Sequence, residues 1–244
     1  MTHLSENRPI RDVPSPNFGP RPAGVAIDTI VLHYTGMRGA EEALARLRDP
    51  AAAVSAHYLI DEDGAITRLV PEDMRAWHAG IASWKGETNI NDRSIGVELV
   101  NPGHEFGYRP FPTAQMEALV ALLRSVLARH PIPASRILGH SDVAPMRKQD
   151  PGELFDWPLL ARSGIGVFPE RSMGAGHYGP YSVAGAQGLL AAIGYAAPSS
   201  GILDDETAAA LAAFQRRFRP ERVDGRLDAE TAELLRRVAA QSTS

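Results

Sequence analysis

"IDTIVLHYTG" (residues 27–36) decides the fold of this chain, because it is a short run of β-branched and other apolar residues that ends at a glycine. Such a run is typical of a strand buried inside a sheet. "SIGVELV" (94–100) has the same character, and "SRILGH" (135–140) predicts a third short strand. The segments 41–49 and 113–130 lie between these strands and predict helices. This alternation predicts an α/β fold with a mixed central sheet flanked by helices.

The remaining segments of the first domain predict a hairpin, a closing helix and an N-terminal arm. "VSAHYLIDEDGAITRLV" (54–70) contains two apolar runs around turn residues, which predicts a β-hairpin. "LFDWPLLARSG" (154–164) predicts a closing helix, and Thr113 is the expected N-cap of the long helix before it. Residues 1–25 are rich in proline and indicate an extended arm that lies on this domain, which we expect to span 26–162.

The composition changes after residue 162. Residues 163–181 hold five glycines and two prolines, which predicts a linker or a loosely packed crossing segment. Beyond them, helical spacing of apolar residues predicts helices at 182–194, 204–218 and 228–239. We therefore expect a small three-helix domain over 182–240.

This second domain contains a repeat. "GILDDETAAAL" (201–211) matches "GRLDAETAELL" (225–235) at an offset of 24 residues. Asp204 and Asp228 begin the two copies of the helix and are its expected N-caps. The apolar side chains expected in the core are Leu189, Leu190, Ile193, Leu203, Leu211, Phe214, Phe218, Leu227, Leu234, Leu235 and Val238.

The composition excludes several classes of function. The net charge is −4, with 25 basic and 29 acidic residues, and no basic run suggests nucleic-acid binding. No segment approaches the roughly 20 apolar residues of a membrane span. The N-terminus shows no signal-peptide core, so we expect a cytoplasmic protein as the chain is written, or a periplasmic one if a leader has been removed. We expect it to be a monomer.

A metal site is indicated by "GHSDVAPMRKQDPG" (139–152), which holds His140 and Asp150 ten residues apart. The chain has no cysteine, so a metal would be held by histidine and carboxylate ligands. His33, at the end of a predicted buried strand, is the best third ligand, since sites form at strand ends in α/β sheets. Each residue alone is also compatible with an ordinary hydrogen-bonded or turn position. Together they form a set that suits zinc, although other divalent ions would accept the same ligands.

Glu98 lies within a predicted strand and is flanked by apolar residues. A buried carboxylate requires a partner or a function, so Glu98 is a candidate for proton transfer. Lys148 alone would be interpreted as a solvated lysine. It is two residues before Asp150, and in an extended loop the two side chains would point to the same side.

The chain resembles the zinc-dependent N-acetylmuramoyl-L-alanine amidases of the type 2 family, the AmpD and AmiD-like enzymes, whose fold is shared with peptidoglycan recognition proteins. The resemblance covers roughly residues 12–160. It rests on the following pieces, in the family's order: "VPSPNFGPRP", "IVLHYT", "VSAHYLIDEDG", "RAWHAG", "NDRSIGVELV" and "GHSDVAPMRKQDPG". Residues 87–91, "ETNIN", lack a basic residue expected in the cytoplasmic recycling enzymes, which leaves the preferred substrate open.

The resemblance implies one zinc ion per chain on His33, His140 and Asp150, with Glu98 and Lys148 as the catalytic pair. It implies hydrolysis of the amide between the lactyl group of N-acetylmuramic acid and L-alanine, in peptidoglycan or muropeptides. Two alternatives remain open: a non-catalytic peptidoglycan recognition protein, and another zinc peptidase that acts on peptidoglycan.

The resemblance also places several further residues near the cleft. His57, Trp77 and His78 are expected to line it, although Trp77 could serve packing and His57 a supporting hydrogen bond. Asn91 and Arg93 could bind the carboxylates of the peptide, since arginine binds carboxylates in bidentate geometry. A surface role for Arg93 is the alternative.

The tail resembles the peptidoglycan-binding domain 1 type, through "AQGLLAAIGY", "SGILDDETAAALAAFQRRF" and "DGRLDAETAELL". This implies a wall-binding module that, on a flexible linker, raises the local substrate concentration for the amidase. A helical dimerisation or packing appendage is the alternative.

Overall fold

The structure is a computed structural model that describes residues 9–169 and 181–242. The first eight residues of the expected arm and most of the expected linker at 163–181 therefore lie outside the described residues.

A six-stranded mixed sheet forms the centre of the first domain, as predicted. In the described residues the strands are β1 (Ile10–Asp12), β2 (Phe18–Pro20), β3 (Thr29–Tyr34), β4 (Tyr58–Ile60), β5 (Ile66–Arg68), β6 (Met74–Ala76), β7 (Ser83–Trp84), β8 (Glu87–Thr88), β9 (Ser94–Leu99) and β10 (Ile137–Gly139). The order in the sheet is β1-β5-β4-β9-β3-β10. Its neighbours are parallel except β4 and β5, which form the predicted hairpin. Two antiparallel pairs, β2 with β6 and β7 with β8, complete the strands.

Helices lie before, between and after the strands. In the described residues they are α1 (Ala40–Arg48), α2 (Gly103–Phe106), α3 (Thr113–Arg129), α4 (His140–Val143), α5 (Trp157–Arg162), α6 (Val183–Ile193), α7 (Asp205–Phe218) and α8 (Ala229–Ser242). Short 3-10 helices occur at Pro50–Ala52, Ile90–Asp92 and Ala134–Arg136. The expected N-cap Thr113 is wrong by one position, because Met116 N already donates to Pro112 O and the helix therefore begins after Pro112.

The two faces of the sheet have different roles because successive side chains of a strand alternate between them. On one face, Ile30 and Leu32 of β3 belong to a core cluster that includes the buried side of α3. Val31 belongs to a different cluster, on the opposite face. His33 is two residues after Val31 on β3 and therefore shares its face, and Glu98 of β9 lies beside His33 in the register of the two strands. The apolar alternation in the sequence thus sets which side of the sheet carries the polar site.

Partly buried hydrogen bonds connect the described part of the N-terminal segment to the rest of the first domain. Asn17 donates to the carbonyl oxygens of Asp49 and Val54 at 2.9 and 2.8 Å. Arg21 donates to the carbonyl oxygens of Glu72, Asn91, Asp92 and Ser94 at 2.8 to 3.1 Å. These bonds tie the arm to several separate segments of the chain.

The repeat in the tail is explained by one capping device used twice. Asp204 and Asp228 each accept a hydrogen bond from a backbone N–H three residues later at 2.9 Å, so both expected N-caps are confirmed. The threonine at that position is buried in both copies, and a buried glutamine of the preceding helix donates to its hydroxyl. The repeated aspartate and threonine are therefore the polar start of each helix.

The expected core of the tail is largely confirmed, with one correction. Leu190, Leu211 and Phe214 are fully buried, but Leu203 is 45% exposed. Leu203 precedes the N-cap Asp204, so it is not on the helical face that packs inward.

The expectation of a freely tethered module is not met by the structure. A single apolar cluster contains Trp84, Leu138 and Val143 of the first domain together with Leu190 and Phe214 of the tail. The three helices are therefore packed against the first domain. Burial of apolar surface from both parts fixes their relative position.

Candidate active site

The ends of three adjacent strands bring the candidate residues together. β3 pairs with β9 on one side and with β10 on the other. In the register of β3 and β9, His33 lies opposite Glu98. β10 continues directly into α4, which begins at His140. The carboxyl ends of strands in α/β sheets are a common place for ligand sites.

Three expected ligand atoms form a nearly equilateral triangle. His33 Nδ1, His140 Nδ1 and Asp150 Oδ2 are each 3.0 Å from the other two. For a tetrahedral ion with bonds of about 2.0 Å, ligand atoms would be about 3.3 Å apart. All three side chains are buried, and Ser141 N donates to Asp150 O at 2.9 Å, which holds the Asp150 loop against α4. The spacing of the donor atoms therefore fits a small divalent metal ion.

A chain of hydrogen bonds sets the tautomer of His33. The Ser94 hydroxyl donates to Ile90 O at 2.7 Å, so its oxygen is free to accept from His78 Nε2 at 3.1 Å. A neutral His78 then has an unprotonated Nδ1, which accepts from His33 Nε2 at 3.1 Å. His33 Nδ1 consequently carries a lone pair, as a metal ligand requires.

The second imidazole is oriented in the same way. His140 Nε2 donates to Ala79 O at 3.0 Å, which leaves Nδ1 of the neutral ring as an acceptor. Two ring lone pairs and the Asp150 carboxylate oxygen therefore face one another. Such a group of acceptors is mutually repulsive unless a cation lies among them, and the network outside it is of the kind that orients metal ligands.

The electrostatics of the site favour a neutral His33 and an ionised Asp150. Burial lowers the pKa of His33 to about 4, and the neighbouring His140 acts in the same direction. Burial alone would raise the pKa of Asp150, but the adjacent imidazoles His140 and His33 hold it well below its usual range. These are the protonation states in which His33 and Asp150 bind a metal.

Glu98 combines burial with an unpaired oxygen. Its side chain reaches the cleft and is only half-buried overall, yet among the described residues Oε2 is buried with no hydrogen-bond partner. Burial, together with the negative charge of Asp150, raises the pKa of Glu98 well above its ordinary value, while Lys148 acts in the opposite direction. A carboxyl with a raised pKa and a free oxygen is suited to proton transfer.

The site opens into a cleft of about 450 Å³, within the range of small-molecule sites. Lys148, Trp77 and His78 line it, as the sequence led us to expect. Sequence reasoning missed the following lining residues: Tyr34, Met37, Arg46, His104 and Arg147. Tyr34 directly follows His33, and Arg147 directly precedes Lys148. Their adjacency to predicted site residues could have indicated that both line the cleft. Arg46, on α1, has no such signal.

Three other residues that were expected to contact the substrate, His57, Asn91 and Arg93, are not among the residues that line the cleft. His57 is fully buried behind it, where Gly96 N donates to His57 Nδ1 at 2.9 Å. Asn91 Oδ1 accepts from His78 N and Ala79 N, which shapes the loop below the cleft. His57 and Asn91 are therefore supporting residues of the fold.

Arg93 is committed to other partners. Its guanidinium makes a bidentate contact with Asp28 at 2.9 and 2.6 Å and an ion pair with Glu87 at 2.8 Å. These carboxylates occupy the geometry that a peptide carboxylate would need, so the expectation that Arg93 binds substrate is corrected.

Comparison with known proteins agrees with this geometry. Residues 23–153 match the family model of N-acetylmuramoyl-L-alanine amidases. The chain belongs to this amidase family. Residues 181–235 of this amidase match the model of a peptidoglycan binding domain.

Relatives of the amidase match both of its domains. AmiD of Escherichia coli (strain K12) is 38% identical over 223 residues, which cover 84% of this chain and 79% of AmiD. The structure of E. coli AmiD with anhydro-N-acetylmuramic acid-L-Ala-D-gamma-Glu-L-Lys superimposes with a TM-score of 0.79 at 35% identity, and covers 91% of this chain and 92% of that one. AmpDh3 of Pseudomonas aeruginosa gives 0.81 at 34% identity, with 91% and 95% covered.

The helices carry no sign of membrane insertion. In the described ranges, none is both long enough and apolar enough to cross a bilayer.

Proposed function

We propose that this amidase hydrolyses the amide bond between the lactyl group of N-acetylmuramic acid and L-alanine, in peptidoglycan or muropeptides. The observation that carries the proposal is the triangle of three acceptor atoms 3.0 Å apart on the face of the sheet that also carries the unpaired carboxylate of Glu98. Similarity to AmiD and AmpDh3, whose structures hold anhydromuramoyl peptides, supports the substrate class.

His33, His140 and Asp150 would hold one zinc ion per chain. When bound, zinc would supply a Lewis acid that lowers the pKa of water toward about 7. Two imidazoles and one carboxylate would supply three protein ligands, the number that hydrolytic zinc sites usually have.

Glu98 and Lys148 would carry the proton transfers and the charge stabilisation. The Glu98 carboxylate accepts a proton from the attacking water and later delivers it to the departing nitrogen of L-alanine. The Lys148 ammonium stabilises the negative charge that develops on the carbonyl oxygen of the amide. Burial raises the pKa of Glu98, which makes its carboxylate a stronger base toward the attacking water.

The C-terminal helices would bind the peptidoglycan polymer, which their family match supports. Activity on intact wall would fit a periplasmic enzyme, and activity on free muropeptides a cytoplasmic one. We propose a monomer with domains at 26–162 and 182–240.

The proposal is tested with purified full-length protein whose zinc is quantified. The protein is incubated with anhydromuramoyl peptides and, separately, with intact sacculi, and the masses of the products are measured by mass spectrometry. We expect free stem peptides that begin with L-alanine, and their loss on chelation and in Glu98→Ala. Glu62→Ala is the matched control, because Glu62 is a carboxylate paired on the surface with Arg109.

The outcomes separate the alternatives. Zinc-loaded protein that binds sacculi without releasing peptide would establish a recognition protein instead. Shortened peptides with the muramoyl amide intact would establish a peptidase.

A further inference from the structure

The C-terminal domain reaches the helix that carries a metal ligand. Asp142, two residues after His140 on α4, is 1% exposed. Its carboxylate accepts from Gly139 N at 2.8 Å, from the Tyr195 hydroxyl at 2.6 Å and from Arg217 Nη1 at 2.8 Å. Two of these three donors belong to the C-terminal domain.

A carboxylate at this depth depends on its donors. A buried charge is tolerated only when it is paired and hydrogen-bonded. Arg217 is itself buried, with its guanidinium 4.0 Å from the ring centre of Trp157. Because α4 has only four residues, the position of Asp142 fixes the orientation of the whole helix and of His140 at its start.

The surrounding contacts leave little room for Tyr195 to move. The Trp84 and Tyr195 rings meet edge to face with centroids 4.9 Å apart. Lys85 N donates to Gly194 O at 2.8 Å, and a Cβ added at Gly194 would lie 2.4 Å from a ring atom of Trp84. The closely packed interface between the two domains therefore holds the Tyr195 hydroxyl against Asp142.

A second connection runs from α7 to the rim of the cleft. Arg216 forms an ion pair with Glu153 at 3.7 Å, and Glu153 accepts from His104 Nε2 at 3.1 Å. His104 Nδ1 in turn accepts from the Tyr34 hydroxyl at 2.9 Å. Tyr34 directly follows His33. Arg216 is therefore connected to the neighbour of one expected ligand, and Arg217 binds Asp142 on the helix that begins with another, His140.

We propose that Tyr195 and Arg217 are positioning residues of the metal site, which act through Asp142 on His140. The C-terminal helices are then part of the structure that shapes the metal site, in addition to any role in wall binding. This inference rests on the metal site of the proposed function.

The test measures metal affinity in the full-length protein. Tyr195→Phe removes one hydroxyl and keeps the ring that packs on Trp84. We expect the zinc dissociation constant, measured by competition with a chromophoric chelator, to rise about tenfold, as for other supporting partners of metal ligands. We also expect the visible absorption bands of the cobalt-substituted protein to shift, since they report the geometry of the ligands.

The matched control is Tyr58→Phe. The Tyr58 hydroxyl also donates to a carboxylate, that of Glu72, at 2.6 Å, and Tyr58 is also buried. It lies on the face of the sheet that packs on α3, away from the cleft. We expect a similar loss of thermal stability with zinc affinity and cobalt bands unchanged.

A second pair of variants repeats the test with a charge. Arg217→Met should weaken zinc binding at least as much as Tyr195→Phe. Arg219→Met, which removes an ion pair with Asp228 of 2.7 Å within the tail, should not.

Two results would overturn the inference. One is wild-type zinc affinity and cobalt bands in folded Tyr195→Phe, and the other is equal weakening in Tyr195→Phe and Tyr58→Phe. Wild-type protein that binds no zinc would instead remove the proposed function itself.

Discussion

The lysines of this chain allow a direct test of whether one side chain stabilises the negative charge on the carbonyl oxygen. The chain has two, Lys148 in the cleft and Lys85 at the turn between β7 and β8. We expect Lys148→Met to lower kcat about 100- to 1000-fold, because it removes the positive charge next to the developing oxyanion. Activity is measured on anhydromuramoyl peptides at saturating substrate. Lys85→Met should retain wild-type activity, and loss of zinc from Lys148→Met would contradict the assigned role.

Glu72 makes the stability of the protein sensitive to acid. Burial would raise the pKa of Glu72, but hydrogen bonds from Arg129, Tyr58 and His130 outweigh burial and lower it to about 2. Since the ordinary value is 4.5, this stabilisation is complete above pH 4.5 and is lost as the pH falls toward 2. We expect Glu72→Gln to cost up to about 3 kcal/mol of unfolding free energy at pH 7.

The measurement is urea unfolding of both proteins at pH 7 and near pH 3. The difference between wild type and Glu72→Gln should shrink at the lower pH. A difference independent of pH would show that Glu72 acts through packing alone. Glu62→Gln, in an exposed ion pair with Arg109, is the control and should change little at either pH.

Strand β9 shows how one element serves both the core and the site. Its odd-numbered apolar side chains pack toward α3, while Gly96 and Glu98 face the cleft side. A Cβ added at Gly96 would lie 2.5 Å from the His78 ring, so the strand carries glycine where this ring lies against it. The sequence shows this glycine inside an apolar run but gives no sign of the ring that covers it.

We expect Gly96→Ala to displace His78 and thereby the hydrogen bond that orients His33. The unfolding free energy should fall by about 1 to 3 kcal/mol because the core is overpacked, and zinc affinity should fall with it. Both are measured by urea unfolding and chelator competition. Gly19→Ala is the control, since it also lies in a strand and a Cβ there meets nothing within 4 Å. Unchanged zinc affinity in Gly96→Ala would remove His78 from the metal site.

The two domains share one apolar core cluster. Phe214 of α7 is fully buried in the cluster that also contains Val143 of α4. We expect one calorimetric transition, with zinc release at the same temperature. Phe214→Ala should lower the stability of both domains together, by about 3 to 5 kcal/mol. Ile202→Ala, at a 67% exposed position of the tail, should not, and two separate transitions would contradict the shared core.

The sequence by itself determined the elements and the set of candidate residues. Apolar periodicity reports how each segment is buried relative to its own axis, so it located β3, β9, α3 and the three tail helices. Residue type and position indicated His33, His140, Asp150 and Glu98, and the family resemblance added the role of Lys148; the structure brings all five to one cleft. Each strand or helix is a local feature that one segment reveals, whereas the site residues were predicted from several segments taken together.

Only the tertiary structure decided which distant groups meet. Arg93 pairs with Asp28, 65 residues away, and Arg217 with Asp142, 75 residues away. No periodicity links such positions, because the partner of a charged side chain depends on how whole elements are placed against one another. For the same physical reason the sequence suggested a tethered tail, whereas packing of the tail on the first domain makes it a neighbour of the metal ligands.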